Sequence, residues 1–231
     1  DDIYILPSSG GDPKKVTFDS AGDSSPAFSA DGKKLYFIRT EGGDFGSGER
    51  PQSNLMVVYL EKQEKDPDEA ATSSADGADN SPEAVQRRAA EQRRIAESLS
   101  NPKAPTIDWD GLKRRTRNVL RSGGGSGRGG RGGGTGGGLS VSTYTPARDG
   151  RTLIFAASSG TGGPGGGSSV YTVTDDGKNM RQVANAAAPT PSEGDDDAPR
   201  GGGFGRGGVR NLVVARGTLF YQQGDGVYSV S

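Results

Sequence analysis

Few side chains of this sequence could take part in catalysis, because the 231 residues include no histidine and no cysteine. Ser-His-Asp and Cys-His sites are therefore excluded for these residues, as are metal sites built on histidine or thiolate. A serine-lysine pair or two carboxylates could still support hydrolysis. The candidate acids are Asp31 and Asp149, each followed by glycine. An aspartate in this position caps a hairpin turn, which accounts for both residues, so we expect no catalytic residue here.

Arg114 and Arg115 form the one candidate binding pair. Either side chain could meet the carboxylate of a peptide, since the planar guanidinium matches that group. The alternative is an outward-facing edge strand, on which basic side chains discourage pairing with other sheets. We expect no cofactor-binding residue, no metal-binding residue and no cofactor.

A repeated hairpin must position these residues. Its full form spans residues 25–39, with an Asp-Gly pair between two β-rich runs. It returns at residues 142–155 and, one residue shorter at the turn, at 210–221. Asp-Gly between two such runs predicts a hairpin turn, because glycine accepts a positive φ. The repetition indicates a repeat fold.

Two further strand patterns accompany the hairpins. An apolar run predicts a third strand at residues 2–6, 54–58, 169–173 and 226–230. A polar turn and a basic run predict a fourth strand at residues 10–17 and 176–183. The same interval of 12 residues separates Tyr4 from Val16 and Tyr171 from Val183. This matched spacing indicates that the units are true repeats.

Four short antiparallel strands per unit, with an apolar inner hairpin and a charged outer strand, are typical of a β-propeller blade. We predict an all-β fold: a partial β-propeller of four-stranded antiparallel blades, with a helical insertion and Gly-rich disordered loops. The predicted organisation is the last two strands of a blade at residues 1–18, a blade with a long insertion at 24–120, a Gly-rich loop at 121–139, a blade at 140–185, a Gly/Asp-rich loop at 186–208 and a partial blade at 209–231. Because propellers typically need about 4–8 blades to close, we expect a segment of a longer polypeptide.

The long insertion covers residues 61–106 and lacks hydrophobic periodicity over most of its length. Within it, Ser81 followed by Pro82 and Glu83 is typical of a helix start. The predicted helix spans residues 82–99 and ends before Asn101-Pro102. A nucleic-acid or coiled-coil role for its arginines is the alternative to a solvated face of mixed charge.

The Gly-rich segments hold most of the 40 glycines, and Arg128 and Arg131 stand in an RGG-like setting. Such segments can bind RNA, whereas a flexible linker is the alternative. The chain carries 28 basic and 29 acidic residues, which argues against a polyanion-binding surface. We therefore expect no nucleic-acid partner. We expect no membrane partner either, because no apolar run approaches the length that spans a bilayer.

Two segments resemble a known family. The hairpin Pro-Ala-Phe-Ser-Ala-Asp-Gly-Lys-Lys-Leu-Tyr-Phe at residues 26–37 resembles the blade motif of TolB and tricorn-type propellers. The segment Ile-Asp-Trp-Asp-Gly-Leu-Lys-Arg-Arg at residues 107–115 resembles, more particularly, a strand of tricorn-like serine peptidases. We expect this second segment to supply the outer strand of the second blade.

The resemblance implies a non-catalytic propeller segment that acts as scaffold and peptide-access module for a tricorn-like serine peptidase. Oligopeptide hydrolysis would occur in a downstream domain with a serine nucleophile and a histidine base. The implied partner is a peptide or protein substrate. The resemblance leaves open whether the parent chain forms a homo-oligomer. The implied location is cytoplasmic, with the bacterial periplasm as the alternative. The alternative function is a TolB-like propeller that binds a protein partner without catalysis.

Overall fold

The computed structural model describes residues 1–42, 51–62, 105–121, 139–159, 168–185 and 208–230, and part of residues 81–97. The described residues form four antiparallel sheets, which we number I to IV in chain order. This confirms the all-β prediction of antiparallel blades in a partial propeller-like arrangement. The predicted Gly-rich loops lie almost entirely outside the described residues.

Within each sheet, strands that are consecutive in the sequence are hydrogen-bonded neighbours. Sheet I contains β1 (Tyr4–Ile5) and β2 (Lys14–Lys15). Sheet II contains β3 (Gly22–Phe28), β4 (Lys34–Glu41), β5 (Gln52–Tyr59) and β6 (Thr116–Asn118). Sheet III contains β7 (Leu139–Pro146), β8 (Thr152–Ser159), β9 (Ser168–Thr174) and β10 (Arg181–Asn185). Sheet IV contains β11 (Val209–Ala215), β12 (Thr218–Gln223) and β13 (Gly226–Val230).

The Asp-Gly turns have the structural role predicted for their aspartates. The Asp31 carboxylate accepts hydrogen bonds from the Ser29 hydroxyl at 2.5 Å and the Lys33 N–H at 3.1 Å. The Asp149 carboxylate accepts from the N–H groups of Arg151 and Thr152 at 3.0 and 2.8 Å. These bonds hold the two turns closed and occupy both carboxylates.

Side chains alternate between the two faces of each sheet, and both faces of a middle strand such as β4 are buried. In β4, Leu35 and Phe37 pack toward sheet I, whereas Tyr36 and Ile38 pack toward sheet III. Successive residues of a strand point to opposite faces, so one apolar strand serves two neighbouring cores. This arrangement stacks the sheets face to face in chain order.

Three apolar clusters fill the spaces between successive sheets. The cluster between sheets I and II includes Ile3, Val16, Phe37 and Val58. The cluster between sheets II and III includes Tyr36, Val57, Leu153 and Phe155. The cluster between sheets III and IV includes Ala156, Val170, Leu212 and Leu219. Apolar residues of the second and third strands and of β11 are buried in these clusters: Leu35, Phe37, Val57, Leu153, Phe155, Val173, Leu212 and Leu219. Tyr171 is only partly buried.

The outer strand of sheet II begins later than predicted. Residues 107–111 form an irregular turn, Leu112–Arg115 form a 3₁₀ turn, and only then does β6 begin. The Asp108 carboxylate accepts a hydrogen bond from the Asp110 N–H at 3.1 Å, and Gly111 has a φ of 75°. This local turn chemistry prevents the segment from extending as a strand at that point.

The long insertion is described only in part. Its described residues at 82–83, 85–86, 89–90, 93 and 96–97 are helical. The Val85 N–H donates a hydrogen bond to the Ser81 carbonyl at 3.0 Å. This is the first hydrogen bond of the helix, and the N-cap residue accepts it. The predicted end of the helix at residue 99 lies outside the described residues.

Candidate functional site: the first strands of the sheets

The first strands β3, β7 and β11 lie next to one another across the sheets. Two direct bonds join them. The Tyr144 hydroxyl of β7 donates to the Ser25 carbonyl of β3 at 2.6 Å. The Ser142 hydroxyl of β7 donates to the Val209 carbonyl of β11 at 3.5 Å. In a propeller the strands that converge in this way lie nearest the central axis. We call these three strands the inner row.

Every strand of the inner row has an irregularity in its pairing with the second strand of its sheet. The pairing with the second strand shifts between Ser24 and Ala27 in β3, between Val141 and Thr143 in β7, and between Arg210 and Val213 in β11. Bulges of this kind re-aim side chains and recur beside functional sites. The repetition places one irregular backbone segment per sheet along the row.

The first strands carry polar side chains at the same distance from the hairpin turn, namely Ser25, Thr143 and Asn211. The pairing with the second strand passes over Ser25 and Asn211, whereas Thr143 pairs with Ala156 and lies next to the irregularity. Ser25 and Asn211 are exposed, and Thr143 is partly exposed. We call these three residues the polar triplet. Their hydroxyl and amide groups can exchange hydrogen bonds with a peptide backbone, but without a histidine they form no nucleophile-base pair.

Two members of the polar triplet have a left-handed backbone, with φ of 55° at Ser25 and 54° at Asn211. Non-glycine residues rarely adopt this conformation, and those that do are concentrated at functional sites. The Asn211 amide also donates to the Gln222 side-chain oxygen at 2.9 Å. The fold therefore holds these side chains in place at a cost in backbone strain.

Tyr144 fixes the contact between the first two strands of the inner row. Burial raises the pKa of this tyrosine, so its hydroxyl stays protonated at neutral pH. A protonated hydroxyl can donate to the Ser25 carbonyl at all physiological pH values. The protonation of Tyr144 therefore does not alter this contact in the physiological pH range.

An ion cluster around the buried side chains of Arg39 and Asp23 supports the start of β3. The Arg39 guanidinium donates to both carboxylate oxygens of Asp23, at 2.8 and 3.0 Å, and also to Asp19. The hydrogen bonds with Asp23 raise the pKa of Arg39 further, so the group remains charged. Lys113 lies 3.2 Å from the Asp19 carboxylate. Because these cations engage both aspartates, the cluster fits a structural role better than acid-base chemistry.

The predicted peptide contacts Arg114 and Arg115 lie away from the inner row. They belong to the 3₁₀ turn before β6, at the opposite edge of sheet II from β3. Arg115 donates to the carbonyls of Leu60 at 3.0 Å and Asp110 at 2.9 Å, and also to that of Asp108. Arg114 is exposed. The structure does not bring either residue to the polar triplet, and their contact with peptide stays a prediction.

A second buried charge pair joins sheets II and III. The Lys34 ammonium lies against the Asp175 carboxylate, with 14% and 5% of the two side chains exposed. The same ammonium lies 3.5 Å from the Gly150 carbonyl and 5.7 Å from the centre of the Tyr59 ring. Sequence reasoning missed this pair. The available signal was the position of Lys34, two residues before Tyr36 and hence on the same buried face of β4.

In the described part of the chain, no group of three or more carboxylate, histidine or cysteine side chains is placed to hold a metal ion. The helical residues described include no helix with the length and hydropathy that a bilayer span requires.

Comparisons with known proteins show similarity in structure but not in sequence. No protein-family model matches the chain, and no curated protein matches it. The chain is similar to the crystal structure of the tricorn protease, with a TM-score of 0.49 and 12% sequence identity. The match covers 99% of this chain and 18% of the tricorn protease chain. With so low a TM-score and identity, this likeness supports no conclusion about the chain. Its class, an all-β region of β-propeller type, is assigned from the sheets described above.

Proposed function

We propose that this chain is a non-catalytic propeller segment of a tricorn-like serine peptidase, serving as scaffold and peptide-access module. Oligopeptide hydrolysis would be carried out by a separate domain. The observation that carries the proposal is the polar triplet, which repeats one polar side chain per sheet along the inner row. The absence of histidine and the family resemblance of the hairpin support it.

The inner row suits an extended peptide for physical reasons. An extended chain presents backbone N–H and C=O groups at intervals of about 3.3 Å per residue. Side chains that both donate and accept, such as those of Ser25, Thr143 and Asn211, can bond such groups without selecting a particular peptide sequence. A module that guides many peptides needs contacts of this general kind.

Removing the polar triplet tests the proposal. The triple variant Ser25→Gly, Thr143→Val, Asn211→Gly removes the polar groups, and glycine accepts the left-handed backbone at the two strained positions. We expect binding of a fluorescein-labelled mixture of unstructured octapeptides to weaken about tenfold or more, since each lost hydrogen bond is worth about 0.5–1.5 kcal/mol. Fluorescence anisotropy measures the change.

Asn179→Gly is the matched control. Asn179 has a φ of 54° and is exposed, but it lies in the turn between β9 and β10 rather than in the inner row. This variant should bind the octapeptides as the parent chain does. Equal affinity of the triple variant and the parent chain would contradict the proposal. So would peptide cleavage by this chain that a substitution within it abolishes.

A further inference from the structure

The two ends of the long insertion meet at one backbone carbonyl. Leu60 directly precedes the insertion, and Asp108 and Arg115 lie just after it. The Asp108 N–H and the Arg115 guanidinium both donate to the Leu60 carbonyl, at 2.9 and 3.0 Å. The chain therefore leaves sheet II and returns to it at the same point. We call this contact between Leu60, Asp108 and Arg115 the neck.

The guanidinium of Arg115 bonds both the outgoing and the returning chain. Besides Leu60 on the outgoing side, it donates to the carbonyls of Asp110, at 2.9 Å, and Asp108 on the returning side. It also lies 3.8 Å from the Asp108 carboxylate, and only 10% of the Arg115 side chain is exposed. A planar guanidinium can donate in several fixed directions at once, which a lysine ammonium on a flexible stem does less well. Arg115 is therefore suited to hold the neck closed.

Both ends of the insertion also lie against the turn between β3 and β4. On the outgoing side, the Leu60 N–H donates to the Lys33 carbonyl at 2.9 Å, and the Glu61 carboxylate lies 3.5 Å from the Lys33 ammonium. On the returning side, a Cβ placed on Gly32 would lie 3.7 Å from the Pro105 Cβ. The outgoing and returning segments are thus positioned by the same two turn residues.

The returning segment is anchored on sheets I and II. Leu112 is buried in the apolar cluster between these sheets, and Ile107 and Trp109 pack against the same cluster. The Lys14 ammonium of β2 lies 4.9 Å from the centre of a Trp109 ring. In contrast, every helical residue of the insertion that the structure describes is exposed. The contacts that hold the neck in place thus come from the sheets.

We propose that Arg115 clamps the neck and thereby makes the long insertion a separable module, so that sheet II forms without residues 63–104. The entropy of loop closure supports this proposal. Each doubling of loop length disfavours closure only roughly threefold. A hydrogen bond to a charged group favours the closed state about tenfold or more, which exceeds the cost of two doublings. Arg115 therefore acts as a positioning residue for the two ends of the insertion.

Hydrogen exchange at Asp108 tests the clamp. The Asp108 amide hydrogen exchanges with solvent when its bond to Leu60 opens, so its exchange rate reports opening of the neck. We expect Arg115→Ala to speed this exchange about tenfold or more, as measured by NMR. Arg115→Lys should restore only part of the protection, because the fork of donors is lost. Arg114→Ala is the matched control, since this neighbouring side chain is exposed, and it should leave the rate unchanged. An unchanged rate in Arg115→Ala would overturn the clamp.

Shortening the insertion tests the module. A six-residue Gly-Ser linker, which reaches about 20 Å, replaces residues 63–104. The shortened chain should keep the circular dichroism and the urea midpoint of the parent chain. Its Asp108 amide should exchange about tenfold more slowly, because a shorter loop favours the closed neck. Arg115→Ala in the shortened chain should regain the exchange rate of the parent chain.

Loss of the sheets in the shortened chain would overturn the module. If Arg115→Ala unfolds the full chain, the same substitution in the shortened chain decides the role of the clamp. There, exchange at Asp108 as slow as in the shortened chain without the substitution would overturn the clamp. Neither experiment involves the polar triplet or peptide binding, so the proposed function is tested separately.

Discussion

The contact between sheets II and III and the contact between sheets III and IV use the same repeat positions with different outcomes. Phe155 and Tyr221 are equivalent, each being the fourth residue of its strand. Each stacks on a tyrosine of the third strand, with ring centres 5.3 Å apart for Phe155 and Tyr171 and 5.4 Å apart for Tyr221 and Tyr228. Phe155 and Tyr221 are both buried, but Tyr171 is partly buried whereas Tyr228 is 48% exposed. The same pair is thus a core element in one sheet and a partly solvated element in the other.

The two contacts also differ in charge. Lys34 reaches from sheet II to Asp175 of sheet III. The equivalent first residue of β8 is Thr152, whose hydroxyl donates to Asp149 in its own turn at 2.5 Å. The first residue of the second strand therefore contacts another sheet in sheet II, whereas in sheet III it contacts its own turn. Packing between repeats depends on the side chain that the repeat happens to carry.

Truncating the aromatic pair should give the largest effect. We expect Phe155→Ala to lower the free energy of unfolding by about 3–5 kcal/mol, because a cavity is left in a fully buried core. Tyr221→Ala should cost less, since its stacking partner is already half exposed. Urea denaturation measures both values. Equal losses would show that the two contacts are energetically alike despite their difference in burial.

Breaking the buried charge pair should have the next largest effect. Lys34→Met alone should cost about 3 kcal/mol, because the Asp175 carboxylate is then left buried without its partner. The double variant Lys34→Met, Asp175→Leu should recover most of that loss, since it removes the uncompensated charge. A double-mutant cycle by urea denaturation measures the coupling. Additive losses would mean that the pair does not couple the two sheets.

The smallest of the expected effects is the loss of stability that the Asp149 turn contributes, which should occur at acid pH. Burial tends to raise the pKa of Asp149, but hydrogen bonds from the Thr152 hydroxyl and from the N–H groups of Thr152 and Arg151 outweigh it and lower the pKa below its ordinary value of 3.8. A carboxylate with a lowered folded pKa stabilises the fold above the ordinary value, and this stabilisation is lost as pH falls through the folded pKa.

The expected measurement is a shallower fall of unfolding free energy below pH 4 in Asp149→Asn than in the parent chain. Glu83→Gln is a suitable control, since Glu83 is exposed in the helical insertion. Identical pH profiles for the parent chain and Asp149→Asn would show that the turn carboxylate does not contribute to acid stability.

The hairpin repeat could be predicted from the sequence because its signals are local. Asp31, Gly32 and the alternating Leu35 and Phe37 lie within one short segment, and turn chemistry and strand alternation act over a few residues. The start of β6 could not be predicted, because the turn closed by Asp108 competes with strand extension over the same residues. The hydrogen-bond partner of Arg115 could not be predicted either, since the acceptor Leu60 is 55 residues away in the chain.

The repeated hairpins of the described residues, the alternation of buried positions and the lack of a histidine-based site follow from the amino-acid sequence. The packing of the sheets shows in addition which sheets touch, that Lys34 meets Asp175 at a separation of 141 residues, and that Ser25, Thr143 and Asn211 share one row. The physical reason is the range of the interactions. Backbone propensity and turn chemistry act between neighbours in the chain, whereas the packing of one sheet on another joins residues that the sequence keeps far apart.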